Sequence, residues 1–577
     1  MASIQYKYSG GHKYWYIAQS IRVNGKPRPI VLEYLGKAET LLKRLRNIKE
    51  GLSIKSYAHG DVAALLNCAK KLDIATKINK YVKPLRNNSD KKPIRNNLTA
   101  GFTCLLAAIG RVSEPCSKNS WKYWVKKTSL GYLLRMNFEK VNSQHFWDLM
   151  EAFPEASIKD AEEDILREVI KQYNLRTESL LVDTTNFYTF ISTTNKRCTI
   201  AKRGRNKQKR NDLRQIGLML VATKEDLIPL FHYSYEGNIH DSKIFKKVIR
   251  EIKERIIDLG LDIEKHTISF DRGNNSKKNL KIVKSLNLHY VGALSPYHHK
   301  ELIEKASKNF RRIQINDTPM DVYREKVNIW GEERTVVIFI SDRLKLGQIR
   351  GMYYYINKTK EQLKELKEKL ERSRKKRNKK QLEEQINRIL EKNKTKNLVI
   401  YKLRKDKKGK FILSYYENKN ETKKIEDSLG FRIIMTDRHE WDAQEIINAF
   451  HAQSYIEKIF KEMKSPEHLS VSPYYHWTDH KIKIHNFCCV IGYLLASLIR
   501  KELKEKIGYN KNLDTLLDTL KNIRLAILIE KGGKKGRPRA IYKLEERSEE
   551  EDKILGALGI SDFHKKKIKF ESIGVYK

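Results

Sequence analysis

Cysteine, long apolar runs and acidic charge are all in short supply in this chain, and each shortage closes off a class of protein. Six cysteines in 577 residues, of which only Cys488 and Cys489 are adjacent, make neither a disulfide framework nor a paired zinc-ligand spacing. That usage fits a reducing, cytoplasmic compartment. The longest apolar run, Phe487 to Ile499, falls short of the ~20 residues a membrane span needs and predicts a buried helix. A signal peptide, a lipidation motif and a long amphipathic basic helix are also missing from the sequence, so no membrane partner is expected. The glycines of "KGGKKGRPR" lack the spacing and the Ser or Thr of a phosphate-binding loop, which argues against a nucleotide cofactor.

The shortage of acid is the most telling. Against 116 Lys+Arg stand 70 Asp+Glu, a formal charge of +46. Such an excess repels itself unless a polyanion shares the surface, so nucleic acid is the first partner to consider. With 40% hydrophobic residues the chain can bury a core, and its length suits several domains or one large domain with an insertion.

The texture changes along the chain. "KYWYIAQSIRVNGKPRPIVLEYLG" alternates, turns at Asn24-Gly25 and returns, predicting a β-hairpin module over 1–50. Apolar stripes at helical spacing follow over 51–175, expected to be a helical DNA-binding region, with Trp121 and Trp124 read as core. From Leu180 the order is three strands, a helix, a strand, a helix and a strand, a mixed sheet covered by helices over 176–300. Over 301–430 two β-ribbons flank a stretch with Leu363, Leu366 and Leu370, then Leu382, Ile386 and Ile389, at helical spacing. That is an inserted β and coiled-coil subdomain. A long helix, "DAQEIINAFHAQSYIEKIFKEMKS", and a second one complete 431–505, and a hairpin with a basic turn marks 506–577.

Three acidic residues stand out by context. Asp183 interrupts the apolar strand "LLVDTTNFYTF", Asp271 ends the strand of "SFDRGNNS", and Glu457 rides the long helix. A buried carboxylate needs a partner, a shifted pKa or a metal. If sheet and helix converge, three hard oxygen donors suit Mg²⁺ or Mn²⁺, and a two-metal site is the chemistry of phosphodiester cleavage. Taken alone, Asp183 is as open to a structural reading as to a metal one, and Glu457 alone is a weaker signal still.

The helix spacing Phe450, Gln453, Glu457, Lys464 resembles the Tyr, two residues, Arg, three residues, Glu, six residues, Lys signature of bacterial transposases of the insertion sequence 4-like superfamily. The blocks "LLVDTTNFYTF", "RNDLRQIGLMLVATKEDLIPL", "GNIHDSKIF", "SFDRGNNS", "VGALSPYHH" and "HWTDHKIKIH" are similar to those of its 1634-type subgroup, so the resemblance covers nearly the whole chain. It implies a DDE transposase with an RNase H-like core, helices on both faces of its mixed sheet. Asp183, Asp271 and Glu457 would hold two Mg²⁺ or Mn²⁺ ions as catalytic ligands, with Phe450, Gln453 and Lys464 toward the DNA. It further implies double-stranded DNA as partner, both element ends and target, a homodimer on that DNA, and a nucleoid-associated location. Phe450 in place of Tyr loses a hydroxyl, and Gln453 in place of Arg loses a charge-assisted phosphate contact. A DNA-binding relative with a decayed metal site and an RNase H-like nuclease outside transposition are the alternatives.

Arg203, Arg205, Lys207, Lys209 and Arg210 form a basic loop suited to phosphate contact, and Arg272 adjoins Asp271. The run Lys535 to Arg539 reads either as a minor-groove arm or as a polar turn. His485, Cys488 and Cys489, at i, i+3 and i+4, read as the inward face of a helix rather than zinc ligands. The charge balance sets a first test. Affinity for duplex DNA should fall with salt by ~0.9 log units per log unit for each phosphate neutralised, and a flat titration would refute electrostatic docking.

Overall fold

The computed structural model describes all residues except 1, 24–25, 41, 43–51, 83–95, 97, 205–209, 373–377, 407–408, 531–538, 566–567 and 571–577. Two compact units emerge, one of Met1–Ala161, Glu462–Pro473 and Ile484–Lys577, the other of Glu162–Lys461 and Tyr474–Lys483.

The first unit opens with strands β1 (Ala2–Ser9), β2 (His12–Val23) and β3 (Lys26–Lys37), paired antiparallel in that order. The expected hairpin is β2–β3, and β1 adds a third strand. Its two-residue turn falls on Gly10 and Gly11, with φ of 55° and 77°. A tight turn with both central residues in the left-handed region favours such a pair. Helices follow at Gly60–Lys71, Ala100–Ser113 and Ser143–Ala152, with Trp121 and Trp124 buried as anticipated. Strand β4 (Leu52–Ala58) pairs with Arg524–Glu530, which pairs with Arg539–Leu544, so the C-terminal hairpin gains a strand from early in the chain. The basic turn of that hairpin lies outside the described residues.

Helix Asp479–Ile507 is long and apolar enough to cross a membrane by length and composition, with a mean hydropathy of 1.7 over its best window. That window is 94% buried inside the protein, which accounts for its composition as a core helix. His485, Cys488 and Cys489 are buried along it, and the His485 Nε2 lies 2.8 Å from the Val471 carbonyl.

In the second unit, ten strands form one sheet. Strand β5 (Ser179–Thr189) lies at its heart, flanked by antiparallel β7 (Arg214–Thr223) and parallel β9 (Thr267–Phe270). Beyond β7 come the short β6 (Lys202–Arg203) and β8 (Pro229–Glu236). Beyond β9 comes parallel β10 (His289–Leu294). The path β8-β7-β5-β9-β10, with β7 alone reversed between neighbours β5 and β8, is a mixed sheet of the kind the strand and helix order predicts.

The predicted insertion is only partly separate from that sheet. Strands β11 (Arg311–Ile315), β12 (Thr318–Ile329) and β13 (Glu332–Ile340) prolong it, because β13 pairs with β16 (Phe431–Thr436) and β16 pairs with β10. The remainder packs on itself. Helices Asp342–Arg372 and Lys379–Lys392 bury Leu363, Leu366, Leu370, Leu382 and Ile386 with Val399 and Leu413 of the ribbon β14 (Val399–Lys405) and β15 (Phe411–Glu417). Ile389 is partly buried against them.

Burial of an ionisable ring gives the first unit a pH dependence. His59 is enclosed, its Nδ1 2.8 Å from the Ser129 hydroxyl, and burial with the nearby His564 pushes its pKa down to about 3. A lowered histidine pKa means the unfolded chain binds the proton first, so stability is full above pH ~6.5 and declines as pH falls. At pH 5 the cost is about 2 kcal/mol for this residue. Denaturant midpoints between pH 7 and 5 should show that slope, and His59→Gln should flatten it by about that amount.

Candidate active site

Strand register places the first two acids side by side. β5 and β9 run parallel with Val182 opposite Phe270, so the next residue of each strand is Asp183 and Asp271. Parallel neighbours lie ~4.8 Å apart, and side chains alternate between the sheet's faces. Phe270 packs edge-to-face on Phe245 of helix Asp241–Asp258, on one face. Val291 of β10 packs on the other face, in one cluster with Ile446 and Ile447 of helix Ala443–His451. Val291 is in register with Ser269, and Ser269 with Leu181. Alternation from Leu181 brings Asp183, and continued one step past Phe270 brings Asp271, onto the face that carries helix Ala443–His451.

Asp183 is half-buried and Asp271 exposed. The turn after Asp271 is held by its carbonyl, which accepts from the Asn274 backbone at 2.9 Å and from Asn275 Nδ2 at 3.4 Å. Ser276 caps the following helix, Lys277–Ser285. Gly292 permits the close approach, since a Cβ there would stand 2.2 Å from the Asn275 side-chain oxygen.

The helix bearing the third acid is not continuous. It is broken at Ala452 into Ala443–His451 and Gln453–Glu462. Glu457, on the second piece, is exposed. Among the described residues no three His, Cys, Asp or Glu side chains stand at metal-ligand spacing, so Asp183, Asp271 and Glu457 are not gathered into one set. Their chemistry fits a hard divalent cation, and two of the three share a face at neighbouring strand positions.

The neighbouring candidates sort differently from the expectation of one helical stripe. Phe450 is partly buried against the cluster around Ile447, with the Arg432 guanidinium 5.6 Å from its ring centre, so it acts as packing. Gln453 is half-buried at the start of the second piece. Lys464 is exposed beyond the helix end, in the first unit, so the two-turn spacing from Glu457 is not helical. Arg203 is exposed on β6, and Arg210 makes a two-pronged bond to Asp212 at 2.9 and 2.8 Å. Arg205, Lys207, Lys209 and the side chain of Arg272 lie outside the described residues.

Two arrangements escaped the sequence reading. Glu162 receives His232 Nδ1 at 2.7 Å and Arg255 at 2.8 Å, all three buried. His232 stands in register with Leu220, and Leu220 with Asp183, so this hydrogen-bonded triad anchors the same row of the sheet. Buried charges need such pairing, and an acid, a base and an imidazole spread over three elements leave no local spacing to detect. The second is a clamp on the loop after β5. Asp479 accepts from the Thr199 and Ile200 backbones at 2.7 and 3.1 Å and from the Thr199 hydroxyl. Arg214 donates to the carbonyls of Ser192, Asn195 and Cys198. Phe187 packs on Tyr474 and Asn195 binds the Trp477 carbonyl, so "HWTDHK" is fastened to that loop, leaving Phe190 and Trp477 72% and 70% exposed.

No protein-family model matches the chain, nor does any curated protein. Among solved structures it is similar to a piggyBac transposase synaptic complex with hairpin DNA, at 9% identity and a TM-score of 0.34 over 79% of each chain. At that score the likeness is too loose to carry a functional conclusion.

The clamp is testable. Burial pushes the Asp479 carboxyl up, but the bonds from Thr199 and Ile200 outweigh it and hold the group below its ordinary range. A depressed acid stabilises the fold above the unfolded pKa of ~3.9 and loses that contribution as pH falls through the folded value. Asp479→Asn should therefore speed hydrogen exchange at Thr199 and Ile200 at pH 7, and wild type should show the same acceleration only in acid.

Proposed function

We propose that this chain is a DDE transposase that cuts and joins DNA at the face where Asp183 and Asp271 lie together. The observation that carries the reading is the register of β5 on β9, which sets two carboxylates on the helix-bearing face of an RNase H-like sheet. The sequence spacing from Phe450 through Gln453 and Glu457 to Lys464 and the +46 charge support it. In this reading Asp183, Asp271 and Glu457, which the structure does not gather into one set, would hold Mg²⁺ or Mn²⁺, and the ions would supply activation of a hydroxyl and stabilisation of the departing phosphate oxygen. The residues' own part is to present oxygen donors on rigid elements: Asp183 through two strand neighbours, Asp271 through its bonded turn.

The proposed partners are double-stranded element ends and target DNA, bound by a homodimer in the nucleoid-associated cytoplasm. Arg203 and Arg210, with Arg205, Lys207, Lys209, Arg272 and Lys464, would neutralise phosphates. Gln453 forms only neutral hydrogen bonds, weaker than a guanidinium's, so end-holding depends more on the surrounding cations.

Paired-end DNA cleavage with Mg²⁺ tests the proposal. Changing groups that merely orient ligands costs ~10–100-fold, so Asp183→Asn, Asp271→Asn and Glu457→Gln should each cost about a hundredfold or more. Full activity in any variant would remove that residue from the ligand set, and activity independent of divalent metal would overturn the reading.

A further inference from the structure

The three-stranded sheet β1–β3 is unusual in having almost no interior. Among the described residues Ala18 is its one side chain among the buried hydrophobics, while Ile4, Tyr6, Tyr8, Ile30, Leu32 and Tyr34 are 45–71% exposed. Residues 1–37 carry Lys7, Lys13, Arg22, Lys26, Arg28 and Lys37 against the single acid Glu33.

The two faces differ in chemistry. Register aligns Lys7 with Tyr14 and Tyr14 with Lys37, and in the next row Gln5 with Tyr16 and Tyr16 with Tyr34. Gln5, Lys7, Tyr14, Tyr16, Tyr34 and Lys37 therefore share one face, all of them hydrogen-bonding and none acidic. The face is pre-ordered by its own contacts. Lys7 Nζ donates to the Tyr34 hydroxyl at 3.0 Å, the Tyr16 hydroxyl donates to Gln5 at 3.3 Å, and the Tyr16 and Tyr34 rings lie 5.9 Å apart. The opposite face holds Ile4, Tyr6, Tyr8 and Ile30, with the Lys13 ammonium 3.7 Å from the centre of the Tyr6 ring and 4.7 Å from that of Trp15.

We propose that the Gln5–Lys7–Tyr14–Tyr16–Tyr34–Lys37 face is a β-sheet reader of duplex DNA, lying along the major groove, separate from the carboxylate site. Charge complementarity chooses the occupant. A second copy would bring an equally basic surface, whereas a phosphate backbone neutralises both lysines. Shape agrees. Two strand spacings make a face ~10 Å across, against a groove ~12 Å wide that admits β-ribbons. The twelve-residue strands β2 and β3 span ~40 Å, about one helical turn of DNA. Gln and Lys are side chains that read adenine and guanine edges, and Tyr reaches phosphates.

Fluorescence anisotropy of the full chain in EDTA, with a labelled duplex, the matching single strand and phosphatidylserine vesicles as probes, tests this without cleavage. Lys7→Ala/Lys37→Ala should lower the slope of log affinity against log salt by about 1.8, two phosphates at ~0.9 each, and weaken duplex binding. Ile4→Ser, on the opposite face, should leave both unchanged. Lys7→Gln/Lys37→Gln should repeat the first result if the alanine variant folds poorly. Unchanged slope and affinity in a folded double variant would overturn the proposal, as would the double variant losing vesicle binding or self-association while duplex binding persists. Binding retained by Asp183→Asn while cleavage is lost separates failure of this face from failure of the catalytic reading.

Discussion

The parallel pairing of β5 with β9 is the constraint on which the second unit turns. β9 is four residues long and buried on both sides, with Phe270 locked against Phe245 on one face and Ser269 in line with the helix-bearing cluster on the other. It has no slack. A slip of one residue would reverse the faces of every side chain on β5 and carry Asp183 to the side of helix Asp241–Asp258. Burial of each large apolar side chain is worth ~1.5–3 kcal/mol, so the packing around Phe270, Val291 and Ile447 holds that register firmly. The carboxylates inherit their geometry from these apolar neighbours.

Charge is handled in two ways. Where ions are buried, as in Glu162 and Arg255, they are matched, because an unmatched one would cost several kcal/mol. On the surface the excess is basic and largely unmatched by acid, most plainly over β1–β3, where six Lys and Arg meet one Glu. Exposed ion pairs such as Arg210–Asp212 take up little of that excess.

The inserted region shows how tertiary structure redistributes what local patterns predict. Its leucines and isoleucines do form a helical pair, yet β11–β13 join the main sheet through β16 rather than making a module of their own. An alternating strand records which side chains are apolar and leaves its pairing partner open. Phe450 illustrates the same point: spacing sets it in line with Glu457, but the break at Ala452 and the cluster around Ile447 draw its ring into packing.

By itself the sequence determined the order of the main strands and helices from Leu180 through β10, the burial of Trp121, Trp124 and helix Asp479–Ile507, and the basic charge, since each follows from periodicity or composition. Tertiary structure alone decided that Asp183 and Asp271 stand on one face, that Asp479 clamps a loop ~280 residues earlier, and that Glu162 joins His232 and Arg255. Those pairings depend on register and on which surfaces exclude water together, and loop closure over long separations costs so little per added residue that sequence distance gives no hint of them.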